Sequence, residues 1–127
     1  MHILISNQSE IPIYQQLKNQ IKDAILSGEL AAGDMLPSIR NMANETRASV
    51  LTVRRAYDEL EEEGLVHSVH GKGFFVAAKN LELIRETKLK EIERSLMDAY
   101  SIARQIGVTK EDMWNMMDIL FDETGED

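Results

Sequence analysis

Between Ser38 and Tyr57 the chain carries four arginines, Arg40, Arg47, Arg54 and Arg55, against one acidic residue, Glu45. The whole chain is acidic, with 14 basic and 22 acidic residues and a formal net charge of −8. A basic island in such a background points to one small part of the molecule meeting an anion, because local charge rather than the sum decides what docks there. Among the arginines stand Ser38, Ser49 and Thr52, whose hydroxyls can donate to phosphate oxygens or base edges. Arg54 and Arg55 bring forked guanidinium groups that match phosphate or guanine O6 and N7. Further along, His70-Gly71-Lys72-Gly73 sets a cation between glycines that allow close backbone approach.

Other chemistries find less support. There is no Cys, so disulfides, thiolate metal sites and a Cys nucleophile are excluded. His67 and His70 stand three apart, and on a strand they would face opposite sides, so no metal is expected. No Ser-His-Asp order is evident, and Gly71-Lys72-Gly73 lacks the strand and helix of a nucleotide loop. Neither an enzyme nor a cofactor is expected. The apolar start Met1 to Ser6 meets polar Asn7-Gln8-Ser9-Glu10 too soon for a signal core. The apolar runs are too short to span a membrane, and a cytoplasmic protein is expected.

The elements that would hold the arginines follow from periodicity. From Pro12 to Ser27, Tyr14, Leu17, Ile21, Ala24 and Ile25 recur at helical spacing, with Pro12 suited to the first turn and Gly28 to the C′ position. Ser38 can cap a short second helix that turns Ile39, Met42 and Ala43 inward and ends near Thr46. Ser49 offers the next cap. Val53, Ala56, Tyr57 and Leu60 form that helix's buried stripe, leaving Leu51, Arg54, Arg55 and Asp58 on the other side. Gly64 ends it. Leu65 to Val69 and Phe74 to Ala78 favour strands joined by His70 to Gly73, a glycine-permitted hairpin. Three helices and a hairpin predict a winged helix-turn-helix over 1–78 in a mostly α chain.

Residues 79–127 change pattern. Leu89, Ile92, Leu96, Ala99, Ala103 and Ile106 alternate spacings of three and four, a heptad-like seam. Gly107 ends the helix, and Thr109 with Asp112 resembles a capping box ahead of Met113, Met116, Met117 and Leu120. The methionines suit core filling better than metal ligation. Trp114 and Tyr100 suit interface packing better than an effector pocket. A helical hairpin this apolar is expected to pair with its copy, through Leu89, Ile92, Leu96, Ala99, Ala103, Met113, Met117 and Leu120. A small molecule acting between the tail helices would have to bind two dimer states unequally, and no pocket for one is recognisable in the sequence.

The runs Pro12-Ile13-Tyr14-Gln15-Gln16-Leu17, Gly28-Glu29-Leu30, Gly33-Asp34-Met35-Leu36-Pro37-Ser38-Ile39-Arg40, Thr52-Val53-Arg54-Arg55-Ala56-Tyr57, Leu60-Glu61-Glu62-Glu63-Gly64-Leu65 and Gly71-Lys72-Gly73-Phe74-Phe75-Val76 together resemble the DNA-binding domain of GntR-family regulators. The tail, with Ala103, Gly107, Thr109 and Glu111 at its turn, is similar to the short dimerisation tail of the YtrA subfamily. The resemblance implies a homodimer on a pseudo-palindromic DNA operator, acting as a repressor. On that resemblance Ser38 and Arg40 would contact phosphate or base, Ser49, Val50, Leu51 and Thr52 with Arg54 would form the recognition surface, and His70 and Gly71 the wing tip; the residue types add Arg55, Lys72 and Gly73 to that DNA-binding set. The sequence departs from the family where Val50 and Leu51 replace polar readers, Arg47 a turn glycine and Phe74 a frequent Thr. Apolar contact with thymine methyls would take over from the missing readers, and Arg47 would have to accept positive φ. The acidic surface alone favours a second reading, a protein-interaction module that ignores DNA, and the arginine island opposes it.

Overall fold

A computed structural model of the chain describes residues 1–77 and 81–124. Its elements run α1 (Ile13–Ser27), α2 (Ile39–Thr46), α3 (Val50–Glu62), β1 (Val66–Val69), β2 (Gly73–Val76), α4 (Leu81–Ile106) and α5 (Lys110–Thr124). Contacts divide the chain into two compact units, Met1–Glu86 and Thr87–Asp127, and the division falls inside α4. The boundary expected between residues 78 and 79 lies outside the described residues.

The first unit is built on the stripes that the sequence displays. Leu17, Ile21 and Ile25 of α1, Met42 and Ala43 of α2, and Val53, Ala56, Tyr57 and Leu60 of α3 close one core with Leu36, Leu65, Val66 and Val76. Pro12 precedes α1 as its N-cap rather than entering its first turn, and its carbonyl accepts from both Gln15 and Gln16. Gly28 ends α1 at φ 89°, a left-handed conformation that glycine adopts without a Cβ penalty. Upstream, the Gln16 and Gln20 side chains each donate to and accept from the backbone of Ser6 and Leu4, respectively. That clasp holds Ile3 and Ile5 against the core.

Tyr57 joins the helices to the hairpin. It is fully buried, its hydroxyl donates to Pro37 O at 2.8 Å, and its ring meets Phe74 edge-to-face with centroids 5.2 Å apart. Burial, with a smaller push from the Glu45 charge, raises its pKa far above the ordinary phenol value. Phe74 therefore has a packing role where the family often has Thr.

The hairpin pairs Val66 with Val76, His67 with Phe75, Ser68 with Phe74 and Val69 with Gly73. Strand β2 begins at Gly73, one residue before the predicted Phe74, because Gly73 still pairs with Val69. Lys72 N donates to Val69 O at 3.0 Å, and Gly71, third residue of that turn, has φ 77°, the sign a type II turn requires there. The far edge of β2 is tied to the α1–α2 connection: Gly33 N donates to Val76 O, Val76 N to Asp34 O and Leu36 N to Phe74 O. An isolated antiparallel bridge between Met35 and Phe75 thus fixes the base of the wing.

At its start α4 belongs to this unit, with Leu81 and Ile84 against the core and Arg85 donating to Leu26 O at 2.7 Å. In the second unit Gly107 turns the chain at φ 75°. Thr109 and Asp112 then make reciprocal bonds, Asp112 N to Thr109 Oγ1 and Thr109 N to Asp112 Oδ2, the predicted capping box. Ala103 is buried, Ala99, Met113 and Met117 are half-buried, and Leu89, Ile92, Leu96 and Leu120 are exposed. Among the described residues no helix is long and apolar enough to cross a membrane.

Candidate nucleic-acid interface

Two capped helix starts and the corner between them set the geometry. Ser38 Oγ accepts from Asn41 N at 3.1 Å and opens α2. Arg47 closes it at φ 58°, ψ 29°, the positive φ that the family resemblance implies at this turn. It is the one non-glycine residue with positive φ among the described residues. The strain is held because Ala48 N donates back to Ala43 O at 3.2 Å and Met42 and Ala43 are buried beneath. Ser49 then starts α3, its Oγ accepting from Thr52 N at 3.0 Å and donating to Thr52 Oγ1 at 2.8 Å. The Ser49 and Thr52 hydroxyls are thus engaged with each other at the cap.

The exposed side of α3 carries Val50, Leu51, Arg54, Arg55 and Asp58. The two arginines are in different states. Arg54 makes no ion pair among the described residues, and it lines an open groove between α3 and the hairpin with Asp58, Glu61, Ser68, His70 and Lys72. Within that groove Glu61 accepts from Ser68 N at 2.6 Å. Arg55 is held instead, its Nε 3.2 Å from Glu59 Oε2 and its guanidinium carbon 3.6 Å above the Tyr14 ring. Its i,i+4 spacing to Glu59 was readable as a pair, whereas Tyr14 lies too far along the chain for spacing to reveal the stack.

Behind this face, charge locks α1 to α3. Lys18 Nζ lies 2.7 Å from Glu63 Oε2 and 3.1 Å from Glu59 Oε1, and Lys22 Nζ lies 3.0 Å from Glu63 Oε1. The hydrogen bond to Glu63 leads in raising the Lys18 pKa. Glu59 is lowered, first by the bond from Lys18 and then by Arg55. Burial pushes Glu63 up, but the bonds and charges of Lys18 and Lys22 outweigh it and hold the carboxyl below its ordinary value. Two carboxylates of this acidic chain, Glu59 and Glu63, are thereby paired with lysines of α1, a pairing that sequence reasoning missed because the partners lie 41 or more residues apart.

The structure brings Arg54 into one groove with His70, Gly71, Lys72 and Gly73, and sets Leu51, Thr52 and Arg55 in a second one with Pro12, Ile13 and Tyr14. Ser38 and Arg40, at the start of α2, line neither groove. His67 stacks on Phe75 at 6.0 Å, and among the described residues no group of three or more His, Asp or Glu is placed to hold a metal.

An exposed helix carried over a second capped helix, with a basic-tipped hairpin beside it, is the winged helix-turn-helix form of DNA-binding proteins. Residues 13–76 match the family model of bacterial regulatory proteins, gntR family. The chain is 39% identical over 106 residues to the uncharacterized HTH-type transcriptional regulator YhcF of Bacillus subtilis, across 84% of this chain and 87% of that one. It is 35% identical over 109 residues to the HTH-type transcriptional repressor YtrA of the same organism, across 86% and 84%. The DNA-binding domain of AraR in complex with operator ORX1 superposes with a TM-score of 0.55 at 29% identity, covering 61% of this chain and 99% of that one. The chain belongs to the GntR family, whose members are transcriptional regulators rather than enzymes.

Proposed function

We propose that this protein represses transcription as a homodimer on a pseudo-palindromic operator, with residues 1–78 reading DNA and residues 79–127 joining the two copies. The observation that carries the DNA face is the groove shared by Arg54 on α3 and Lys72 at the hairpin tip. A recognition helix in the major groove would bring Arg54 to guanine or phosphate, and the wing would lay His70 to Gly73 on the flanking backbone. Ser38, Arg40, Ser49, Val50, Leu51, Thr52 and Arg55 complete the proposed surface. Capping and phosphate contact are compatible at Ser38 and Ser49, since the helix-start amides themselves favour an anion. AraR, whose domain is seen on an operator, supports the docking mode.

The dimer rests on apolar exposure. Leu89, Ile92, Leu96 and Leu120 are each at least half exposed, a cost that a second copy would remove. Ala99, Ala103, Met113 and Met117, less exposed, would support that seam from inside. Fluorescence anisotropy with a duplex from the protein's own upstream region tests the reading. Arg40→Ala and Arg54→Ala should each weaken binding by about 1–3 kcal/mol with the fold intact, and affinity should fall steeply with salt. Parent-like affinity of both variants at equal salt would show that the face is wrongly assigned.

A further inference from the structure

The tip of α3 is apolar where the docking proposed above brings base edges. Ser49, whose hydroxyl could have read a base, is closed on Thr52 by two hydrogen bonds. Next to it Leu51 is 78% exposed, more than any other large hydrophobic residue described, and Val50 is 50% exposed. Leu51 lines a groove with Pro12, Ile13 and Tyr14 on one side and Thr52 and Arg55 of its own helix on the other. A leucine held in water on a rigid, capped helix start gains nothing for the fold. In the major groove the pyrimidine C5 methyl is the one apolar group that a base edge presents.

We infer that Leu51, flanked by Val50, reads C5 methyl groups, so that the protein ranks thymine and 5-methylcytosine above uracil and unmethylated cytosine at the positions facing the α3 tip. This rests on the DNA-binding reading. Arg54, a turn further along α3, supplies the polar contact, and Leu51 supplies discrimination that no hydrogen-bonding side chain at its position would give.

The test uses the full-length chain. A site is enriched from a random duplex library, and each thymine in it is replaced in turn by deoxyuridine, which removes only the methyl. At one or two positions per half-site the parent should bind about fourfold more weakly, the worth of one buried methyl. At a position where a C·G pair is tolerated, 5-methylcytosine should bind more tightly than cytosine. Leu51→Ala and Leu51→Asn should bind the thymine and uracil duplexes alike, whereas Arg54→Ala should lose affinity for both and keep their ratio. A site indifferent to every replacement, or a ratio that survives Leu51→Ala, overturns this inference alone. Failure to enrich any site overturns the DNA-binding reading and this inference with it. Dimers that dissociate in Leu51→Ala without change in the thymine-to-uracil ratio would assign the residue to self-association and overturn it too.

Discussion

Arg47 ends α2 with φ 58°, and replacing it with glycine separates the cost of that backbone from the value of its charge. A left-handed conformation costs an L-residue about 1–2 kcal/mol. Glycine removes that cost but gives the unfolded chain more freedom, worth about 0.4–1 kcal/mol in the opposite direction. The balance is a gain of about 0.5–1 kcal/mol for Arg47→Gly. For a domain the size of the Met1–Glu86 unit, that gain raises the melting temperature by about 2–8 °C. Arg47→Ala is the control: it loses the same charge and keeps the strain, so it should melt no higher than the parent. Thermal melts followed by circular dichroism at one pH and salt read the difference directly. Both variants remove one cation from the α2–α3 corner, so any loss of DNA affinity should be common to them. If the glycine variant melts no higher than the alanine variant, the turn is not strained as its φ implies.

Three further outcomes follow from named contacts. Tyr57→Phe leaves the half-buried Pro37 carbonyl without its donor and should cost about 1 kcal/mol in urea unfolding; an unchanged midpoint would refute the role given to that bond. Glu59 and Glu63 have lowered pKa values in the fold, so their contribution is present above the unfolded carboxylate range and lost as pH falls through the folded values. Raised Lys18 adds stability that is full below the unfolded lysine pKa and lost as pH rises through the folded one. Joint replacement of Glu59 and Glu63 by Gln should therefore flatten the acid limb of the stability profile, and a parent-like slope would count against the network. Ile92→Asp with Leu96→Asp should give monomers in sedimentation, and dimers that persist would place the interface elsewhere.

The sequence alone determined the elements of the first unit and their facing, because a helix stripe, a capping hydroxyl and a turn glycine are local facts. Ser38 and Ser49 cap as expected, Val53, Ala56, Tyr57 and Leu60 are buried, and Thr109 and Asp112 close the predicted box. Positive φ at Arg47 was expected from the family resemblance, since a turn where the family favours glycine imposes its dihedral on whatever replaces it. Tertiary structure decided what depends on residues far apart in the chain. Adjacent Arg54 and Arg55 look equivalent in the sequence, yet Tyr14 and Glu59 hold one and leave the other facing the wing. Lys18 and Lys22 meet Glu59 and Glu63 only because α1 packs on α3. Spacing along a chain encodes which side of a helix a residue takes; which distant charge it meets there is known only once the core has closed.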